Sequence, residues 1–277
     1  MTDSLSRSPG WLAPDWPDLP PNIGALATMR RGGVSAAPYD DGQGGGGLNL
    51  GIHVGDQPHN VAANRAALTA VLPDEPVWLS QVHGVAVADA GRVRPGEVPV
   101  ADASIARAPD TVCVILTADC LPVLFCDTAG TVVGAAHAGW RGLANGVLEE
   151  TVRAMREKGA GEVLAWLGVA IGPARFEVGA DVLKAFVEGA PDPAARDEVR
   201  AAFRPVAARP GKHLADLYAL ARAVLRRVGV TRVAGGEYCT VSNSGRFYSY
   251  RRDGVTGRQA SLIWIKGKAG GGAGNGA

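Results

Sequence analysis

The chain has 277 residues, 47% of them apolar, and a formal charge of +1 from 28 basic and 27 acidic side chains; it can bury a substantial core, and the charge balance excludes the basic footprint of a nucleic-acid binder. No apolar run approaches the roughly 20 residues that span a bilayer, and Met1-Thr2-Asp3-Ser4 opens without the hydrophobic segment of a signal peptide. The expectation is a cytoplasmic protein with no membrane and no nucleic-acid partner, its oligomeric state open and a monomer admissible.

Residues 1–22 are rich in Pro, Ser and Asp without a period and read as a flexible N-terminal arm, on which Trp11 and Trp16 are able to dock. A single catalytic α/β (mixed α+β) domain is expected over 23–265, and the Gly/Ala-rich 266–277 as a disordered tail. Within the domain, Gln43 to Gly47 reads as a loop and Val77 to Val82 as a strand. Val112 to Leu116, Leu121 to Phe125 and Val132 to Ala136 follow as strands, with Pro122 placing the start of the second at an edge or bend. Leu143, Val147, Val152 and Met155 have helical spacing within Gly142 to Glu157, as do Leu214, Leu217, Ala221, Val224 and Val228 further on. Val163 to Ile171 is a continuous apolar run closed by Gly172-Pro173, the mark of a buried strand. Phe247 to Arg251 and Ala260 to Ile265 read as paired strands around a turn at Asp253-Gly254.

The four cysteines, Cys113, Cys120, Cys126 and Cys239, form no CxxC and suit reduced thiols better than a disulfide framework. Three segments each place a metal-type ligand at the end of an apolar strand: Ser80-Gln81-Val82-His83-Gly84, Leu116-Thr117-Ala118-Asp119-Cys120-Leu121-Pro122, and Ala135-Ala136-His137-Ala138-Gly139-Trp140-Arg141-Gly142. Imidazole and thiolate both suit zinc, and three protein ligands leave the open position of a catalytic site. The gaps of 37 and 17 residues match no zinc finger, so a buried Cys120 acting as a small hydrophobe beside two satisfied histidines stays open on spacing alone.

These segments resemble the YfiH-type laccase-domain family, once filed as multicopper polyphenol oxidases and now described as purine nucleoside phosphorylases. Arg31-Gly32-Gly33-Val34-Ser35, Asn49-Leu50-Gly51, His53-Val54-Gly55-Asp56 and Asn64-Arg65 join the resemblance, as do Ile171-Gly172-Pro173, Phe176-Glu177-Val178 and Tyr248-Ser249-Tyr250-Arg251-Arg252-Asp253. The resemblance implies a single α/β domain related to Cys–His deamidase toxins, with zinc on His83, Cys120 and His137. It implies phosphorolysis of adenosine, inosine, guanosine and methylthioadenosine with inorganic phosphate, plus adenosine deamination. Some relatives are linked instead to editing of mis-incorporated peptidoglycan precursors, which keeps a metal-free Cys–His amidohydrolase, with Cys120 as nucleophile, as the alternative.

The copper label fails on counting: a blue-copper centre plus a trinuclear cluster needs more than the five histidines present, His53, His59, His83, His137 and His213. Asp119, beside Cys120, is a candidate to move protons, or else it caps a turn. Arg65, Arg141 and Arg251 are candidates to grip phosphate, since guanidinium matches its oxygens bidentately, or else they are surface residues. Arg141 draws particular interest as a residue near the start of a helix, where an anion is favoured. His53, in a Gly-flanked turn, lines the pocket or merely shapes the turn. Trp140 either walls the site or packs in the core.

Overall fold

Strands whose alternate residues are apolar on both faces must be covered twice, and this chain meets that demand with two sheets stacked between helical layers. The computed structural model describes residues 10–267. In chain order it contains β1 (Trp11–Leu12), β2 (Ile23–Thr28), β3 (Arg31–Ser35), α1 (Pro58–Thr69), β4 (Val87–Asp89), β5 (Ala103–Ala106), β6 (Cys113–Thr117), β7 (Leu121–Asp127) and β8 (Val133–Ala138). There follow α2 (Trp140–Ala144), α3 (Val147–Glu157), β9 (Val163–Leu167), β10 (Glu177–Gly179), α4 (Ala180–Gly189), α5 (Pro193–Ala201), β11 (Phe203–Pro205) and β12 (Lys212–Ala215). The chain closes with α6 (Leu217–Arg227), β13 (Val233–Gly235), α7 (Tyr250–Asp253) and β14 (Gln259–Ile265).

One sheet has the order β1-β2-β14-β6, the other β13-β9-β7-β8-β5-β4, and β10-β12-β11 form a small third sheet. Period-2 alternation assigns each side chain to a layer. Cys113 and Ile115 of β6, with Ile263 and Ile265 of β14, meet Leu124 and Cys126 of β7 and Val133 and Ala135 of β8 in the seam between the large sheets. Val114, Leu116 and Leu262 point the other way, onto Leu48, Leu50 and Leu68 of α1 and its approach. Leu121, Val123 and Phe125 point away from the seam to Leu148, Val152 and Met155 of α3 and Leu220 and Val224 of α6. None of the described helices is long and apolar enough to cross a membrane.

The mixed α/β class is observed, while several expected elements are redrawn. Val77 to Val82 makes only isolated bridges, Val77 to Cys113 and Ser80 to Val100; the Gln81 carboxamide there substitutes for a strand partner, accepting from Leu116 N and donating to Leu116 O, both at 2.9 Å. β7 is a central strand, and Pro122 is tolerated because its ladder with β9 begins only at Val123; the bend lies before it, at Asp119. The helix expected from Gly142 is broken at Gly146, whose φ of 97° is open to glycine at little cost. Leu214 belongs to β12, because Asp216 caps α6 by accepting from Ala219 N at 3.0 Å. The continuous run from Val163 leaves the ladder after Leu167.

The C-terminal hairpin is absent: β14 is flanked by β2 and β6 and has no edge to offer, and Ser249 caps the short α7 instead. Residues 10–22 pair β1 with β2 and bury Trp16 in the seam. The expected tail falls mostly on 268–277, outside the described residues.

Candidate active site

β6 belongs to one large sheet and β7 to the other, so the three residues joining them, Ala118-Asp119-Cys120, must cross between sheets. Asp119 takes φ 97° there, a conformation unusual for a non-glycine residue. The turn is held by Asp119 itself: its Oδ1 accepts from the Thr240 hydroxyl, its Oδ2 from Arg251 N at 2.6 Å, and its carbonyl from Ile171 N at 2.9 Å. The result pushes Cys120 towards the end of β8, where His137 sits.

His83 arrives on a second strained turn, with φ 62°. Its anchor is Asp102, fully buried at the entrance to β5. Asp102 Oδ1 accepts from His83 N at 2.9 Å, and Oδ2 from Val82 N at 3.1 Å and Gly84 N at 2.7 Å. Oδ1 also bonds His137 Nδ1 at 2.8 Å, and His137 N donates to the Asp102 carbonyl at 2.7 Å. One carboxylate thus orients both histidines. It leaves His137 Nε2 for chemistry, the carboxylate–histidine arrangement common behind metal ligands. Sequence reading missed Asp102; the signal was a lone acid inside the stretch Val98 to Ile105, otherwise nearly free of charge.

The ligand atoms of His83, Cys120 and His137 lie within 4.8 Å of one another, and Cys120 Sγ is 3.8 Å from His83 Nε2. Zinc bonds of about 2.3 Å to sulfur and 2.0–2.1 Å to nitrogen, at tetrahedral angles, place S and N about 3.6 Å apart. The donor set therefore fits a zinc ion, and the Cys120 Sγ–His83 Nε2 separation lies close to that value. Gly139 protects that space, since a Cβ there would lie 3.0 Å from both Cys120 Sγ and His83 Cδ2. Burial pushes the Cys120 thiol up, but the charge of His137 and hydrogen bonds from both histidines overcome it and bring the pKa down to about 6. Burial likewise opposes charge on His137, yet the Cys120 thiolate and Asp102 raise it to about 9. Cys113 and Cys126, in contrast, are pushed up to about 12 by burial, as inert core thiols are.

The three ligands open onto a cavity of about 590 Å³. His53 and Arg65 line it, as the sequence suggested, together with Trp78, Gln81, Tyr250 and Arg258. Arg65 stacks on Trp78, its guanidinium carbon 3.7 Å from the ring centroid. Burial, then the charges of Arg258 and Arg65, hold His53 below the ordinary histidine pKa. Other expected residues stand apart. Arg141 is exposed and stacks on Trp140 at 4.4 Å, outside the cavity lining. The Arg251 side chain donates to Glu177 O at 2.8 Å and borders a different groove. The Asp119 carboxylate is spent on Thr240 and Arg251. Trp140 packs against the helical side of the core. Arg258 was missed because its segment, Gly257-Arg258-Gln259, reads as an ordinary polar turn.

Residues 24–266 match the family described as multi-copper polyphenol oxidoreductase laccase. The chain is 54% identical over 256 residues to a purine nucleoside phosphorylase of Pseudomonas aeruginosa, covering 92% of this chain and 98% of that one. It is 49% identical to the purine nucleoside phosphorylase YfiH of Escherichia coli with the same coverage. Among solved structures it resembles a Neisseria meningitidis protein at 47% identity and TM-score 0.82, covering 93% of this chain and 100% of that one. YlmD from Geobacillus stearothermophilus, at 29% identity, matches with TM-score 0.80 over 93% of this chain and 97% of its own.

Proposed function

The chain belongs to the multi-copper polyphenol oxidoreductase laccase family, and from that membership we propose that it is an enzyme, a purine nucleoside phosphorylase. The observation that carries the reading is one cavity that brings His83, Cys120 and His137 together with Arg65 and His53, and that has room for a nucleoside. Its substrates are purine nucleosides, adenosine, inosine, guanosine and methylthioadenosine, with inorganic phosphate. The catalytic unit is 23–265, acting in the cytoplasm.

The resident metal is zinc, held by His83, Cys120 and His137, and copper has no part: among the described residues this is the one group of three such side chains that converges. Zinc held by these three residues would supply Lewis acidity and a way to activate water, the chemistry that adenosine deamination would also need. The protein's own contributions are separable from it. Asp102 fixes the tautomer and orientation of His137. Tyr250 offers an aromatic face to the purine, while Trp78 carries Arg65 on its own. Asp119 has a supporting task in this reading, keeping Cys120 in place.

One arrangement favours a second reading. Asp102, His137 and Cys120 stand in the order of an acid–base–nucleophile triad, with the thiol pKa already brought down to about 6. Without metal this suits an amidohydrolase acting on peptidoglycan precursors, the chemistry that a relation to Cys–His deamidase toxins would imply. Incubating zinc-loaded protein with inosine, with and without phosphate, separates the two. Phosphate-dependent release of hypoxanthine and ribose 1-phosphate is expected; hydrolysis of an amide by metal-free protein, with no nucleoside turnover, would replace the first reading with the second.

A further inference from the structure

Two arginines of the cavity wall make no direct ion pair among the described residues; Glu75 attracts Arg65, and Cys120 and Asp119 attract Arg258, only from a distance. Arg65, on α1, and Arg258, in the turn before β14, line the same cavity as the metal-type group. Each spends part of its guanidinium on main-chain carbonyls. Arg65 Nε donates to Leu50 O at 3.0 Å, and Arg258 Nη1 to Thr256 O at 3.1 Å and Gly257 O at 3.0 Å. Among the described residues their remaining terminal nitrogens have no hydrogen-bond partner, and no carboxylate comes within ion-pairing distance of either. Burial works against the charge of both guanidinium groups and outweighs these distant acids, and such a cost is offset when an anion binds in direct contact.

The two are built as a pair. Leu50 N donates to Arg258 O at 3.1 Å while Leu50 O accepts from Arg65, so both hang from one residue. Asn49 Oδ1 accepts from Arg258 N at 2.8 Å. Gly51 makes room for the stem, since a Cβ there would lie 2.8 Å from Arg258 Cγ. Trp78 fixes the plane of Arg65 from beneath. His53 lies near enough to feel both charges.

We propose that Arg65 and Arg258, on either side of Leu50, form one dianion subsite that takes inorganic phosphate and presents it to the ribose of a nucleoside bound beside His83, Cys120 and His137. The assignment rests on the phosphorylase reading and says where its second substrate sits. Two fixed guanidinium groups match the charge of hydrogen phosphate and the geometry of its oxygens. In the reaction one phosphate oxygen forms a bond to ribose C1′ as the C1′–N9 bond breaks. The bond's electron pair leaves on purine N9, and the proton of hydrogen phosphate ends on the base, giving ribose 1-phosphate and free purine. Two cations beside the attacking oxyanion gather it from solution and hold it in line, the positioning that such transfers depend on.

The test uses full-length, metal-loaded protein and two variants. Arg258→Met keeps the stem that packs on Gly51, and Arg258→Lys keeps the charge without the fork. Inorganic phosphate binding is measured by calorimetry without nucleoside, and the phosphate and inosine KM values are measured separately, with Tm as a check on folding. Arg258→Met should weaken phosphate binding and raise phosphate KM by about 10–100-fold, with inosine KM within about twofold; the lysine variant should fall between. Unchanged phosphate binding in a folded Arg258→Met protein overturns the subsite. Phosphate binding that Arg258→Met abolishes, in a protein that turns over no nucleoside, keeps the anion site and overturns the phosphorylase reading beneath it. The same oxyanion chemistry could come from a nucleoside 5′-monophosphate. If Arg258→Met loses AMP binding but keeps inorganic phosphate KM, the arginines hold a substrate phosphoryl group and the assignment to inorganic phosphate is wrong.

Discussion

Replacing Asp102 with Asn should cost stability and metal affinity together, and the structure sets the size of both. The carboxylate accepts four hydrogen bonds, two on each oxygen: His83 N and His137 Nδ1 on Oδ1, Val82 N and Gly84 N on Oδ2. An Asn carboxamide presents one oxygen and one NH2, so in either orientation two donors, buried or part-buried, face a donor. At roughly 1–3 kcal/mol for each buried donor left unsatisfied, the loss is about 2–6 kcal/mol. A domain of this size shifts by roughly 2–4 °C per kcal/mol, which places the fall in Tm at roughly 4–24 °C. Loss of the partner behind His137 should also weaken zinc by about 10–100-fold, measured by chelator competition. Leu225→Ala, in the fully buried core of α6, should destabilise by about 2–5 kcal/mol and leave zinc affinity alone. An Asp102→Asn protein with wild-type Tm, or zinc affinity no worse than that of Leu225→Ala, would refute the role given to this carboxylate. The pH dependence carries a sign: hydrogen bonds hold Asp102 below its ordinary pKa against the cost of burial. Its contribution is therefore complete above about pH 4 and is lost as pH falls through the lower folded value.

Further outcomes test the site from other sides. In metal-free protein carrying Cys239→Ser, alkylation of Cys120 by iodoacetamide should rise with a midpoint near pH 6, and added zinc should block it; a midpoint near the ordinary thiol value of about 8.5 would show that the histidines do not activate it. Gly139→Ala puts a methyl group 3.0 Å from Cys120 Sγ and His83 Cδ2, so zinc content should drop sharply while circular dichroism stays native; full zinc occupancy would contradict the spacing argument. Cys120→Ala should abolish zinc binding and nucleoside turnover in a folded protein, whereas rigorous copper removal from the wild type should leave turnover unchanged. Phenol oxidation that tracks four coppers per chain would count against zinc.

Much of this protein is legible in one dimension because its physics is local. Short continuous apolar runs mark β6, β7 and β8 as strands covered on both faces, and a 3.6-residue period marks α3 and α6; each follows from how side chains leave a strand or a helix. The residue types of His83, Cys120 and His137 make a metal site admissible, though not required, from the sequence. The resemblance of their segments to a known family singles out these three residues, and the fold brings them together.

Other features depend on what lies across space. Phe247 to Arg251 has strand composition but meets no free edge, because β14 is already paired on both sides. Gln81 takes the place of a strand partner through its side chain, which no backbone propensity encodes. Arg141 is only four residues from His137 yet turns out to solvent over Trp140, while Arg258, 121 residues from His137, faces the cavity. Asp102 is a single acid in an unremarked stretch until folding brings to it the His137 ring and the backbone amides of Val82, His83 and Gly84. A buried charge takes its meaning from the partners that enclose it, and only the tertiary structure supplies them.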